Sequence, residues 1–324
     1  MRALSSLVLA SALLASPLLA QEAPEGAHAP AAHQAAPEKV DIITPHITDG
    51  EHMEVPWVLP PFYKEVCLGR HVGEHACARL WDDVSVGGVT LNFSPTKHLV
   101  MMLLAAVLLS VLLIGAARAH ARQASAGAPR GFASAIEAVV LYLRNEVILP
   151  NVGHHGEGFV PYLLTLFFFI LTCNLLGLVP YGATATGNIA VTATLATLTF
   201  LTVELAGMRA LGAGYLSTIF YWNKDLALPI RVVLFLIMSP VELIGKFTKP
   251  FALAIRLFAN MTAGHIVLLA FVGLIFTFAG PVSTAPFLMA VAISILELFV
   301  AFLQAFVFTL LSSVFIGQIR EAHH

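Results

Sequence analysis

Arg256 stands alone in an apolar run, Phe251-Ala-Leu-Ala-Ile-Arg256-Leu-Phe-Ala-Asn260-Met261, with no other Lys or Arg between Lys249 and Arg320. A guanidinium stays protonated at any accessible pH. Placing one at bilayer depth costs roughly 2.5–3.5 kcal/mol on insertion scales, so a charge kept there is a functional candidate by default. Other polar residues accompany it at helical spacing. Glu242, Lys249 and Arg256 are seven apart and Asn260 follows four later, which places the four within about 40–80° of arc on one helix face. Glu297, Gln304 and Gln318 repeat the spacing in the next segment, with apolar Leu311 at the intervening position. A stripe that includes Glu and His can relay protons, and a fixed Arg can attract and hold a carboxylate. The same residues also allow a structural reading, an Arg256–Glu297 ion pair that ties two helices together. His265 lies about 180° around a straight helix from Arg256, so a bend near Gly264 is needed to bring it to the same surface. An imidazole titrates near neutrality and suits a proton carrier, although a lone intramembrane His is often a packing residue.

The elements that must position these groups follow from composition. The chain has 324 residues, of which 58% are hydrophobic and 11% charged, and its mean hydropathy is +0.84. Globular domains carry about 25% charged residues. Several apolar runs approach or exceed the roughly 18–20 residues that span hydrocarbon, whereas alternating barrel strands are absent. The fold class is an all-α polytopic membrane protein of about five membrane helices plus one interfacial amphipathic helix. No Gly-x-x-x-x-Gly-Lys-Ser/Thr run occurs, so no nucleotide site is expected on this chain, and no cofactor, nucleic acid or resident metal is implied.

Three regions are distinguished. Residues 1–20 read as a signal peptide, with Arg2 ahead of an apolar core from Leu4 to Leu14 and Ala20 before the cut; an uncleaved first helix is the other reading. Residues 21–96 form an exported segment with eleven Asp/Glu against four Lys/Arg. Its first half, about 21–50, is Ala/Pro/Glu/His-rich and expected to lack fixed structure. Cys67 and Cys77 are disulfide candidates in an exported context, closing a short loop for about 2–3 kcal/mol. A metal site adding His71 and His75, four apart on a helix, is the alternative. Residues 97–324 form the membrane domain, where Cys173 in an apolar run is a packing residue.

Within that domain the spans are expected at about Lys97–Ala117, Pro161–Val179, Asn188–Gly207, Pro229–Phe278 and Ala285–Ile319. Residues 131–149 carry Phe132, Ile136, Val139, Val140, Leu143 and Val147 at helical spacing, which fits a helix along the interface. An ordinary helix packed on protein fits as well. The threonines of the third span, at 192, 194, 197, 199 and 202, should bond back to their own helix or to a neighbour. Glu204, near the end of that span, is a further proton-pathway candidate. Pro240 and Pro250 should kink the fourth. Arg118, Arg122 and Arg130 follow the first span at once, and the loops 181–187 and 279–284 have no Lys or Arg. Positive residues mark the cytoplasmic side, so the N-terminus is expected outside and the C-terminus inside, in a bacterial inner membrane.

On four runs the chain resembles subunit a of the F-type ATP synthase, the membrane stator of a rotary motor. They are Gly127-Ala-Pro-Arg-Gly-Phe-Ala-Ser-Ala-Ile-Glu137, Asn174-Leu-Leu-Gly-Leu-Val-Pro180, Lys249-Pro-Phe-Ala-Leu-Ala-Ile-Arg256-Leu-Phe-Ala-Asn260-Met-Thr-Ala-Gly-His265 and Leu303-Gln-Ala-Phe-Val-Phe308. The resemblance implies that Arg256 is the stator arginine facing the carboxylates of a rotating c-ring. It implies that Asn260, His265, Glu297 and Gln304 belong to the outer half-channel and Glu242 to the inner one. His265 and Glu297 look like an exchanged acid–imidazole pair. The implied partners are the c-ring, b-type peripheral stalk subunits and the lipid bilayer, and the last two helices are implied to lie long and tilted against the ring. The exported segment exceeds the family's usual short extension. An ion-coupled secondary transporter is the rival class; it should show inverted repeats, and no internal repeat is visible.

Overall fold

The structure is a computed structural model and describes residues 48–56, 63–72, 76–78, 84–86, 89–91, 94–123, 131–153, 156–179, 182–220, 228–278 and 280–321. The signal-peptide reading and nearly all of the 21–50 reading fall outside these residues.

Ahead of the first span lie three two-stranded antiparallel hairpins. β1 (His52–Pro56) pairs with β2 (Tyr63–Cys67), β3 (Arg70–Val72) with β4 (Ala76–Ala78), and β5 (Val84–Val86) with β6 (Val89–Leu91). Composition did not signal these strands. One local clue was present: Val86 pairs with Val89, leaving a Gly-Gly dipeptide between Val-rich triplets, a favoured two-residue hairpin link. The strand at His71 corrects the helical His71/His75 metal reading, because a strand turns successive side chains to opposite faces and gives no i, i+4 neighbours. His75 lies outside the described residues. Cys67 is disulfide-bonded; the side chain of Cys77 lies outside the described residues.

The membrane domain follows as α1 (Lys97–Gln123), α2 (Phe132–Tyr142), a π-helical turn (Leu143–Ile148), α3 (Leu149–Val152), α4 (Val160–Gly177), α5 (Ile189–Leu211), the short α6 (Leu216–Ile219), α7 (Leu228–Thr277) and α8 (Thr284–Glu321). Five of these helices are long and apolar enough to cross a membrane. The amphipathic stretch is helical over 132–142, continues through the π-helical turn to Val152, and changes character on the way. α2 buries no residue, whereas Leu143, Val147, Ile148 and Val152 are buried in the bundle. The packed-helix reading therefore describes its second half.

α4 is the hub. Leu163, Leu166, Phe167 and Ile170 are almost completely buried, and α4 packs against α1 and α8. Cys173 is a buried free thiol, as a packing residue should be. α5 starts at Asn188, whose side chain accepts the N–H of Ala190 at 2.9 Å. Its threonines bond back as expected, for example Thr194 to Ala190 O at 2.8 Å and Thr202 to Leu198 O at 2.8 Å, while Tyr162 and Thr199 also join α4 to α5 at 3.2 Å.

α7 stays helical through Pro240 and Pro250 for 50 residues. At 1.5 Å per residue it is about 75 Å long, far more than the roughly 30 Å of hydrocarbon. It must therefore run obliquely or leave the hydrocarbon. The two ends of the bundle are well separated. α1 and α5 begin at one end, called here the Lys97 end. α8 finishes at the other, where Arg320 donates to Val152 O at 2.9 Å.

Candidate functional site

α7 divides its residues by face. Leu253, Ala254, Leu257, Met261 and His265 are buried against the bundle. Glu242, Lys249, Arg256 and Asn260 are all exposed; Glu242 and Lys249 border an open cavity against α5 and α8, and Arg256 and Asn260 lie beyond it. The apolar ridge decides this, because burying it leaves residues roughly a quarter to a third of a turn away outside the packed face. Arg256 forms no ion pair or hydrogen bond among the described residues. The Arg256–Glu297 tie is thus corrected: Glu297 is 8% exposed and turned into the bundle, as is Gln304 at 5%. Arg256 and Asn260 therefore do not face Glu297 and Gln304, whereas Glu242 and Lys249 meet Gln318 of the α8 row around a shared cavity. His265 is on the buried face, opposite the stripe, and α7 has no break at Gly264 that would bring it round.

Two polar regions flank Arg256 along the axis. The one toward the Lys97 end is built from uncharged groups around a single acid. Asn174, fully buried, donates to Ala301 O of α8 at 3.2 Å and accepts from Thr186 at 2.6 Å; Thr186 and Thr184 are 3.0 Å apart. Glu297 lies over Gly264, where an added Cβ would sit 2.5 Å from its Oε1. The glycine is what lets the carboxylate reach the α7 backbone beside His265. Glu297 Oε2 and the hydroxyl of Thr262 are buried without hydrogen-bond partners among the described residues.

The second region, toward the Arg320 end, is an open cavity of about 210 Å³ between α5, α7 and α8. Glu204, Glu242, Lys246, Lys249 and Gln318 contribute to its wall. Lys246 pairs with Glu204 at 3.3 Å and donates to Tyr215 at 2.7 Å. Glu242 has no such partner among the described residues. Seven residues of rise place Lys249 about 10 Å from Arg256 along the axis, and nine place His265 about 14 Å away on the other side.

Sequence reasoning missed three contributors. Asn174 was quoted within a motif and given no role, although a buried amide in an apolar helix signals a bonding centre. Lys246 was visible as a charge in an apolar segment, but only folding pairs it with Glu204. Thr186 sits in a loop whose sequence says nothing of α4.

The family described as ATP synthase A chain matches residues 99–317. ATP synthase subunit a of Chloroherpeton thalassium is 43% identical over 337 aligned positions, covering 98% of this chain and 91% of that protein. ATP synthase subunit a of Anaeromyxobacter dehalogenans is 45% identical over 287, covering 86% and 70%. The protein named ATP synthase subunit a 2 in Chlorobaculum tepidum is 50% identical over 242, covering 72% and 64%. The chain belongs to the ATP synthase A chain family. It is accordingly a multi-pass membrane protein of that family. The Chloroherpeton alignment takes in nearly all residues ahead of Lys97. This family member thus aligns with the N-terminal segment as well as with the membrane domain.

Proposed function

We propose that the chain is the proton-translocating stator subunit of a rotary F-type ATP synthase. In this reading it binds no nucleotide itself and works beside a c-ring and b-type peripheral stalk subunits in a bacterial inner membrane. One observation carries it: Arg256 is a lone, outward-facing guanidinium on α7, set between a buried acid on one side and a charged cavity on the other. Its counter-ion is then a carboxylate that passes on the rotor. Holding that carboxylate ionised, Arg256 keeps the two polar regions from exchanging protons directly.

The positive residues after α1 and at Arg320 support a cytoplasmic side for the cavity and an outer side for the Asn174–Glu297 region. His265, Glu297, Gln304 and Asn260 form the outer route to the ring, and Glu242 serves the inner one. Glu204 was an inner-route candidate on its depth. Its pair with Lys246 leaves Glu242 as the freer acid there. Pairing of Cys67 with Cys77 completes the exported segment. The chain's family membership favours this reading over a secondary transporter.

The test is Arg256→Ala in the whole complex, measured as ATP-driven proton pumping in inverted vesicles. Pumping should fall to background while the complex still assembles. Pumping and ATP synthesis at normal rates would overturn the mechanism.

A further inference from the structure

The membrane domain carries no Asp or Glu in the parts that meet at its Lys97 end, which are residues 94–100, 182–194 and 280–284. Yet a carboxylate is present there, brought by the segment that precedes the spans. Asp49 Oδ1 lies 2.7 Å from His98 Nδ1, and its Oδ2 accepts from Asn188 Nδ2 at 3.1 Å. The chain is held close by Lys97 N–H donating to Gly50 O at 2.9 Å and His98 N–H to Asp49 Oδ1 at 3.4 Å. The Asp49 side chain is 30% exposed, whereas the His98 side chain is 5% exposed, so one partner meets water and the other is buried.

Asn188 closes the loop 182–188, and this loop reaches the buried polar region. Thr186 bonds Asn174, Asn174 bonds Ala301 O, and Ala301 is one turn from Glu297. On the other side of the loop, the space beside Gly187 opens on Thr262, about one turn before His265 on α7. Polar groups thus continue from Asp49 inward to an acid with an unpartnered oxygen. Among the residues whose side chains are described, the remaining ionisable groups of the segments meeting here are Glu51 and the buried Lys97; the loop 182–188 and the start of α5 add none.

We propose that Asp49 and His98 collect protons for the outer route, making the exported segment a working part of the proton pathway. The inference rests on the stator reading. Eleven acidic residues against four basic ones in 21–96 draw cations toward this end, as charged surfaces focus their ligands. A proton taken from water by the carboxylate–imidazole pair passes through the hydroxyls of Thr186 and Thr262 and intervening water to Glu297. One proton enters and one moves on to the ring, with no other bond changed.

The experiment uses the intact complex in liposomes, with ATP synthesis driven by imposed gradients at several pH values on each side. Asp49→Asn keeps the size and an acceptor oxygen but removes the charge. It should slow synthesis about tenfold when outside protons are scarce, the lower end of the rate gain from focused charge. The deficit should shrink as the outside is acidified and stay indifferent to inside pH. Asp49→Glu should recover most of the rate, and His98→Gln should reproduce the same outside-pH dependence. Equal rates for Asp49→Asn and the unaltered complex at every outside pH would overturn the inference, as would a deficit that ignores outside pH. Either result beside a pump still silenced by Arg256→Ala leaves the stator reading standing. A pump that survives Arg256→Ala overturns the reading and the inference together.

Discussion

The two polar regions on either side of Arg256 solve opposite problems. Toward the Lys97 end, one acid is surrounded by amides, hydroxyls and a glycine, with every described partner of Asn174 uncharged. Toward the Arg320 end, an acid is already committed to a lysine, and the space around it is open. An acid without a counter-charge can gain and lose a proton without breaking an ion pair. An acid bound to Lys246 cannot do so, because its protonation strands a cation that is 10% exposed. In the proposed stator reading, proton carriage falls to Glu297 and Glu242, and Glu204 holds the cavity wall.

The largest effect should come from setting the acids of the two regions against each other. Glu297→Gln should reduce ATP-driven pumping to background, while Glu204→Gln should leave most of it. Similar losses from both would break the comparison.

A smaller effect should separate stability from conduction. Lys246→Met leaves Glu204 mostly buried and unpaired, which destabilises by on the order of 3 kcal/mol, the low end for a broken buried pair. Adding Glu204→Gln should return much of that, since the stranded charge is gone. Thermal unfolding of the purified variants measures both. A double variant no more stable than Lys246→Met alone would show that the pair is not what holds the cavity wall.

The smallest effect concerns the latch at the Lys97 end. Burial alone would raise the pKa of Asp49; the contacts with His98 and Thr96 outweigh it and hold the carboxyl below its ordinary 3.8. A depressed folded value means that the contribution is fully present above the ordinary pKa. It is lost as pH falls through the folded value. Amide exchange at Lys97 and His98, corrected for intrinsic pH dependence, should show protection that is constant from neutral pH to about pH 5 and weaker only in stronger acid. Loss of protection already between pH 7 and 5 would show that the Asp49 carboxylate does not set the stability of this latch.

Much of the membrane domain was legible before any coordinates. The apolar runs located all five long helices to within a few residues, because twenty apolar side chains in a row have few places to go except hydrocarbon. The heptad spacing put Glu242, Lys249, Arg256 and Asn260 on one face, and they share it. The threonines of α5 were read correctly because an intramembrane hydroxyl finds its nearest acceptor one turn back on its own helix.

What the sequence by itself determined is therefore what depends on neighbours along one helix: which stretches span, which residues share a face, and that Arg256 is a charge without a local partner. Only the tertiary structure decided what each face meets. Periodicity could not say that Arg256 and Asn260 stay exposed while Glu297 and Gln304 are buried, since both arrangements share one spacing and differ only in which ridge finds a packing partner. Nor could it pair Lys246 with Glu204 across 42 residues or carry Asp49 to His98 across 49. The Lys246–Glu204 contact forms because α5 packs directly on α7; burial of apolar ridges, not the polar residues themselves, sets which charges end up adjacent.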